Sequence, residues 1–343
     1  DMEQKIIQMF SDIPAVTSPR KRETVKVPDH TETMTVVAKD KETAFPSVEL
    51  LFKKEPQPET TIGDYSRYMN RSLFTGMLNS RLRELTLGSN PPFVGAFSFY
   101  GNSYARSKDA FQMAANTSDT GMARSLYAMM QENQRVLLHG FTQSEFELQK
   151  KQMQSGYDRI FNEREKEESF KYADEYVNNF LINEPIPGIE WEYDFVKQYL
   201  NIVTLADINK LAAQWITKDN LVVTMNAPDK ADVKIPTDEE IKVILSAVDV
   251  AKIEPYKEKI LAENLMDDKK LKPGKVITSK TDDETGITTL NLSNGATVVL
   301  KQTNFKNDEI VFRAFSKGGH SLVKDADYYS GSYASQVISQ SGV

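Results

Sequence analysis

The amino-acid sequence predicts an α+β protein, in which a two-layer domain packs helices against one face of a β-sheet. Segments rich in branched and aromatic residues precede a long helical stretch and a closing strand, in the order β-β-α-β-β-α-α-α-β. Such an order suits an antiparallel or mixed sheet. Hydrophobic residues make up 40% of the sequence and charged residues 27%, which is enough apolar material for a core.

A short helix and two strands open the chain. Residues 2–10 carry apolar side chains at helical spacing, and Pro14 forbids the helix to continue. Because Asp1 leads directly into this helix, we expect the chain to be a piece of a longer protein. Residues 34–38 and 45–52 are rich in branched and aromatic side chains, which predicts two strands after a polar connector.

A long helix separates these strands from a second pair. We expect Asp64 to cap the helix, because apolar residues recur after it at steps of three and four, and Gly88 to follow its end. Residues 93–100 and 110–116 predict the two strands, with a turn at the Gly-Asn-Ser sequence of 101–103.

The next hundred residues predict helices and one closing strand. Thr142 and Glu145 form a capping box, in which the threonine oxygen accepts from the third helical amide and the glutamate reaches back to the cap amide. Thr204 and Asp207 repeat this pattern before a later helix. The predicted elements are the helices 122–137, 146–160, 170–180 and 208–215 and the strand 221–225.

A charged stretch leads to a second region of β-structure. Residues 232–275 are rich in lysine and glutamate but retain apolar positions such as Ile241, so we expect a semi-rigid connector with helices around 238–247 and 255–264. The elements predicted after it are the strands 288–292, 297–301 and 310–316, a hairpin turn at Ser293-Asn294-Gly295, and a helix that holds Tyr329 and Ile338.

Composition and charge exclude several classes of function. A net charge of −7 with scattered lysine and arginine gives no basic patch, so nucleic acid is not an expected partner. No run approaches the ~18 consecutive apolar residues of a membrane-spanning helix. The sequence has no cysteine, which excludes disulfides, cysteine-bound zinc and a thiol nucleophile in this segment. Absence of cysteine also fits export to a periplasmic or extracellular compartment, without deciding it.

The sequence contains no recognised catalytic motif. His30, His139 and His320 each lack a second histidine four or five positions away, so no HExxH or HxxEH motif could hold zinc. His139 lies at a predicted helix end, where an imidazole interacts with the helix dipole. No GxSxG serine elbow occurs either, and neighbouring carboxylates are typical of a solvated surface. We therefore predict no catalytic and no metal-binding residue in this segment.

Six short segments form a pattern by their order and spacing along the chain. They are the first helix and its exit at 2–14, MLNSRLREL at 77–85, GFTQSEF at 140–146, NLVV at 220–223, LSNGATVVLK at 292–301 and KGG at 317–319. In this order they resemble landmarks of the pitrilysin/insulinase family of zinc metallopeptidases, which includes the mitochondrial processing peptidases. The resemblance extends over nearly the whole chain.

The resemblance implies a four-domain architecture for the parent protein. In the longer family members, four related domains form two bowls around a peptide, and the first domain holds zinc through HxxEH and a downstream glutamate. This chain would then comprise the terminal helix of the first domain and a connector (1–26), the complete non-catalytic second domain (27–230), the charged interdomain linker (231–284) and the truncated start of the third domain (285–343). Its fold would be the metallopeptidase repeat of the inverted zincins.

Two differences from the residue pattern of the family agree with that placement. Single-half family members carry an arginine and then a tyrosine after the SRL segment to bind substrate, whereas this chain has Thr86 and Phe93. The third-domain helix, where the first domain has its zinc ligands, offers Asp327, Tyr328 and Ser332 without histidine.

The predicted function is that of a fragment of a zinc metalloendopeptidase that degrades or processes peptides. The segment would form part of the scaffold around the substrate, with Phe93, Phe97, Phe99 and Tyr100 as candidate wall residues on an edge strand. Zinc is expected in the full-length parent and not in this segment, and the expected partners are a peptide substrate and the remaining domains. Two alternatives stay open: a non-catalytic structural or partner subunit of the same family, and an unrelated α+β binding protein.

Overall fold

Two β-sheets organise the part of the chain that the structure describes. The computed structural model describes residues 1–340 except 22, 24, 259–271, 273, 307 and 308, and leaves out the side chains of 103, 104 and 337–340. The strands are β1 (Met34–Asp40), β2 (Ser47–Lys54), β3 (Gly95–Ala105), β4 (Lys108–Asn116), β5 (Leu221–Pro228), β6 (Val276–Asp282), β7 (Ile287–Leu292) and β8 (Thr297–Lys301). The helices are α1 (Met2–Phe10), α2 (Ile62–Thr86), α3 (Met122–His139), α4 (Gln143–Glu163), α5 (Ser169–Ile182), α6 (Ile189–Ile202), α7 (Leu205–Trp215), α8 (Asp238–Val250) and α9 (Tyr328–Gln340).

The larger sheet is mixed. Its strand order is β1-β5-β2-β4-β3, and the smaller sheet has the order β6-β7-β8. β1 pairs with β5 in parallel, whereas the other described pairings are antiparallel. The mixed sheet and the α+β class that the order of elements predicts are thus confirmed.

Helices cover one face of the larger sheet. Leu50 and Phe52 of β2 point towards these helices and are buried, in alternation with residues of the opposite face. Trp215 of α7 packs into this layer, with its ring centroid 4.8 Å from that of Phe74 in α2 and 5.6 Å from that of Phe111 in β4. The apolar core therefore lies between the sheet and the helices.

The N-terminus of α2 differs from the prediction. Thr61, not Asp64, is the N-cap: the Thr61 hydroxyl accepts from the Asp64 amide at 3.2 Å, and the Asp64 carboxylate accepts from the Thr61 amide at 2.9 Å. The amide of Thr60 also donates to this carboxylate, and with the bonds to Thr61 and the charge of Arg67 it lowers the pKa of Asp64 to about 2. Asp64 is therefore the third helical residue of a capping box.

β3 runs further than predicted. Residues 101–103 lie within the strand, and the turn to β4 lies at residues 106–107. The register shifts between Gly101 and Ala105, which marks a bulge or irregularity. A Cβ atom at Gly101 would lie 2.9 Å from Cζ of Phe99, so the glycine makes room for this ring rather than for a turn.

Two observed elements were not predicted, and one predicted strand is wrong. α6 follows Pro187 closely and packs against α4, with Val196 and Leu200 buried; β6 adds a strand before the predicted hairpin. Residues 310–316 form no strand, and Phe315 is 98% exposed. No strand in the described part of the chain pairs with them, and an isolated strand has no hydrogen-bonding partner.

The first part of the predicted connector packs onto the helical layer. α8 contacts α3 and buries Ile241 in the core. The carbonyl oxygen of Ile253 lies 2.9 Å from Nε2 of His139, so the chain after α8 also stays close to α3. The helix predicted around 255–264 falls mostly outside the described residues.

Two segments of the sequence pattern contact each other directly. The buried guanidinium of Arg81 in α2 donates from Nε to Oε1 of Glu145 at 2.6 Å and from Nη2 to Oε2 at 2.8 Å. Nη2 also donates to the carbonyl oxygen of Gly140 at 3.0 Å. Glu145 accepts from the amide of Thr142 at 2.8 Å, which confirms the predicted capping box. The ion pair therefore connects α2 to the turn between α3 and α4.

Candidate functional site

The candidate functional surface is the face of the larger sheet that points away from the helices. Residues paired in register point to the same side of a sheet, and two neighbouring rows at the middle of this face cross all five strands. The first row is Phe99, Gln112, Leu51, Val222 and Met34. The second row is Phe97, Ala114, Glu49, Thr224 and Val36. We call these ten residues the open face.

Several large apolar side chains on the open face are accessible. Phe97 is 55% exposed and Phe99 is 46% exposed, and Met34 and Val36 at the other end are similarly accessible. Leu51, near the middle, is partly buried. Accessible apolar side chains on a sheet face that no helix covers in the described part of the chain are typical of a binding face.

Glu49 is the charged group at the centre of the open face. It lies between Ala114 of β4 and Thr224 of β5 and is partly buried. Burial raises the pKa of its carboxyl group, and no hydrogen bond or ion pair within the described residues opposes this shift. Glu49 therefore offers a free acceptor to an amide or a cation placed on the sheet.

The four predicted wall residues do not lie on one surface: three belong to β3, and Phe93 precedes the strand. Phe97 and Phe99 belong to the open face, as the prediction requires. Phe93 is 2% exposed and Tyr100 is 7% exposed, and both lie in the core. The ring of Tyr100 packs 4.5 Å from that of Trp215 and faces the guanidinium of Arg71 at 4.7 Å. Only Phe97 and Phe99 of the four could contact a ligand on the sheet.

β3 is an edge strand, but a side chain occupies the middle of its edge. The amide of Ser98 donates to Oδ1 of Asn79 at 2.5 Å, and Nδ2 of Asn79 donates to the carbonyl oxygen of Ser98 at 3.1 Å. The Ser98 hydroxyl donates to the same Oδ1 at 3.0 Å. Asn79 thus satisfies both main-chain groups of Ser98, which a pairing peptide would otherwise use. Sequence reasoning missed this contact, because the two residues are brought together by the packing of α2 on β3.

The described residues do not fit a zinc site. The described part of the chain holds no group of three or more histidine, aspartate or glutamate residues that could bind a metal. Nδ1 of His30 lies 2.6 Å from the carbonyl oxygen of Glu32, Nε2 of His139 contacts a main-chain carbonyl, and His320 packs beside Tyr328. Zinc is therefore assigned to none of these residues. Among the described helices, none is long and apolar enough to cross a membrane.

Comparison with known proteins supports the predicted family. The family model named Peptidase M16 inactive domain matches residues 1–153. The chain is 28% identical over 334 residues to the protein named Zinc protease PQQL-like from Arabidopsis thaliana, and the match covers 97% of the chain. These matches support the pitrilysin/insulinase-type M16 peptidase family that the sequence pattern predicts.

Two further proteases are similar to the chain. The chain is 23% identical over 304 residues to Probable zinc protease PqqL from Haemophilus influenzae, across 88% of its own length. The crystal structure of the periplasmic protease PqqL from Escherichia coli shares the fold with a TM-score of 0.66, at 18% identity and over 88% of the chain. The chain spans about a third of these relatives: 32% of each of the two zinc proteases and 33% of the crystallised chain.

Proposed function

We propose that the parent protein is a zinc metalloendopeptidase and that this M16 segment supplies part of the wall around its peptide substrate. The zinc would be held by residues outside these 343. The names of the matched relatives support the peptidase part of the proposal. The open face, with accessible phenylalanines on β3 and the free carboxylate of Glu49 two strands away on β2, is the observation that supports the wall.

Contacts on the open face would be made mainly by side chains. Phe97 and Phe99 offer apolar area that any peptide side chain can cover, so the contacts would tolerate many sequences. Glu49 would accept a hydrogen bond from a peptide amide, or attract a basic side chain. Main-chain pairing along β3 would require Asn79 to release Ser98, so it would contribute less than the edge position alone suggests.

Variants of the two exposed phenylalanines in the full-length parent test this proposal. The double variant Phe97→Ala/Phe99→Ala should weaken the binding of an unfolded peptide about tenfold or more, because each truncated aromatic contact costs ~1 kcal/mol or more. Zinc content and thermal stability should not change. Phe45, which is exposed in the loop before β2, provides the matched control Phe45→Ala. Undiminished peptide binding by the double variant would contradict the assignment of the open face.

The proposal also includes a compartment and a domain division. Export is supported by the lack of cysteine and by the likeness to PqqL from Escherichia coli, a periplasmic protease. We propose the division into 1–26, 27–230, 231–284 and 285–343 that the family resemblance implies. The packing of α8 on α3 favours counting the start of the linker with the preceding domain.

A further inference from the structure

A cavity of about 310 Å³ lies within the helical layer, away from the open face. It is bounded by the N-terminal end of α2, by α4, by the loop that carries Pro185 and Pro187, and by the start of α6. Its volume is at the lower end of the range of small-molecule sites, ~300–1,000 Å³. The two proline rings form a wall of restricted conformation.

Aromatic rings line this cavity in a fixed arrangement. Trp191 and Tyr65 of the lining pack against each other at a centroid distance of 5.2 Å, and both contact Phe195 at 5.1 Å behind them. The hydroxyl groups of Tyr65 and Tyr157 are hydrogen-bonded at 3.1 Å, and Tyr68 completes the aromatic lining. The π faces of tyrosine and tryptophan attract cations within ~6 Å of the ring centroid.

The cavity has carboxylates in its lining but no basic residue. Two of its four acidic groups are neutralised from outside: Asp64 pairs with Arg67, and Glu59 pairs with Arg71 at 2.6 Å. The remaining two, Glu184 and Glu192, have no cation within the described residues. Glu184 accepts a hydrogen bond from Asn178, whereas Glu192 has no hydrogen-bond partner among the described residues.

The ionised form of Glu192 is destabilised by this arrangement. Burial, together with the nearby carboxylates of Glu175 and Glu184, raises the pKa of Glu192 to about 7. A half-buried carboxylate without a partner is unfavourable, and a cation in the cavity would remove that cost.

We propose that this cavity binds an organic cation, an alkylammonium or a guanidinium, between the aromatic rings and the carboxylates of Glu184 and Glu192. Oxygen-liganded metal ions fit less well, because much of the lining is aromatic and the cavity exceeds the size of one ion. The cation could belong to a lysine or arginine side chain of a peptide or to a free amine. This inference does not depend on the proposed peptidase function, since the cavity and the open face lie on opposite sides of the sheet.

Calorimetric titration of the chain at pH 8 tests the cavity with two probes. The peptide Ac-Ala-Arg-Ala-NH2 represents a basic side chain, and agmatine represents a free guanidinium amine; saturable one-to-one binding of either is expected. Binding of the peptide alone would assign the site to peptide side chains, and binding of agmatine at least as tightly would assign it to small amines. The neutral peptide Ac-Ala-Gln-Ala-NH2 should not bind. Of the two tryptophans in the sequence, Trp191 lines the cavity and Trp215 is buried in the core, so a change in tryptophan fluorescence on binding gives a second readout.

Charge-neutral variants locate the binding. Glu192→Gln should lower the affinity for the probe at least tenfold. Asp194→Asn changes an exposed position on the same helix outside the cavity, and it should leave the affinity unchanged. Glu184→Gln is the second variant in case Glu192→Gln does not fold. Three results would overturn the proposal. They are binding of the neutral peptide as tight as that of the basic one, no saturable binding of either probe at millimolar concentration, and full affinity in both glutamine variants.

Discussion

Arg81 is the residue on which the contact between α2 and the α3–α4 turn depends. Its side chain is 2% exposed and forms a two-pronged ion pair with Glu145, whose side chain is 11% exposed. Arg81→Met should lower the free energy of unfolding by ~3–5 kcal/mol, because it leaves the Glu145 carboxylate without its cation in a poorly solvated site. Urea unfolding followed by circular dichroism measures the change.

Arg83 provides the control for this prediction. It lies two residues further along α2, is exposed, and forms no ion pair with the described residues. Arg83→Met should change the unfolding free energy by less than ~0.5 kcal/mol. Equal effects of the two variants would show that the Arg81 ion pair does not stabilise the fold.

Glu192 makes stability depend on pH in a defined window. Its folded pKa of about 7 lies above the ordinary value of 4.5, so the native state binds more protons than the unfolded state between these values. The contribution of Glu192 to stability is therefore favourable at low pH and is lost as the pH rises from about 4.5 through 7. Glu192→Gln should be more stable than the original chain at pH 8, and the advantage should shrink towards pH 4.

Thermal melts at pH 4 and pH 8 check this expectation. Asp194→Asn, the exposed control on α6, should show no such pH-dependent difference. A stability difference between Glu192→Gln and the original chain that is the same at both pH values would contradict the assigned pKa. The sequence could not single out Glu192, because Glu190, Glu192 and Asp194 look alike until the packing of α6 buries one of them.

At the scale of helices and strands, short sequence patterns correctly predict several elements. The box formed by Thr142 and Glu145 involves residues three apart, so the sequence alone locates the start of α4. Thr142→Ala should lower the unfolding free energy by ~1 kcal/mol, while Thr142→Ser should keep the hydrogen bond and most of the stability. Denaturant titration distinguishes the two; a serine variant as unstable as the alanine variant would argue against the cap.

The contact between Asn79 and the edge of β3 is a feature that short sequence patterns do not predict. Asn79→Ala removes three hydrogen bonds to Ser98 and leaves two buried main-chain groups unpaired, so it should lower the unfolding free energy by ~1–3 kcal/mol. Ser80→Ala, which removes only a hydroxyl bonded to Gly76 within the helix, is the control. Amide exchange at Ser98 should accelerate in the Asn79 variant, and unchanged protection would contradict the capped edge.

Errors in the predicted elements have the same non-local origin. The strand expected at 310–316 has suitable residues, but it has no partner in the described part of the chain. α6 was missed because two prolines and a run of aromatic and acidic residues conceal its helical spacing, whereas contact with α4 stabilises it. Of the wall candidates, alternation along β3 separates Phe97 and Phe99 from Tyr100, and the sequence could not tell which side the helices cover.

At the scale of the whole molecule, the chain forms a sheet with one covered and one open face, and its described residues hold no cluster of three or more histidine, aspartate or glutamate side chains that could bind a metal. The family assignment and the α+β fold were both predictable, because they depend on the order of many segments rather than on one. The domain limits remain predictions. An HxxEH motif in the parent before Asp1 would favour the peptidase over the alternative of a non-catalytic partner subunit.

The central claim is that this chain frames a reaction centre held elsewhere in the parent. Zinc analysis of the 343-residue chain beside the full-length protein, combined with peptidase assays of both, tests it most directly. We expect about one zinc per molecule and chelator-sensitive cleavage in the full-length protein, and neither in the chain alone. Stoichiometric zinc in the isolated chain, with peptide cleavage that a chelator abolishes and added metal restores, would contradict the account.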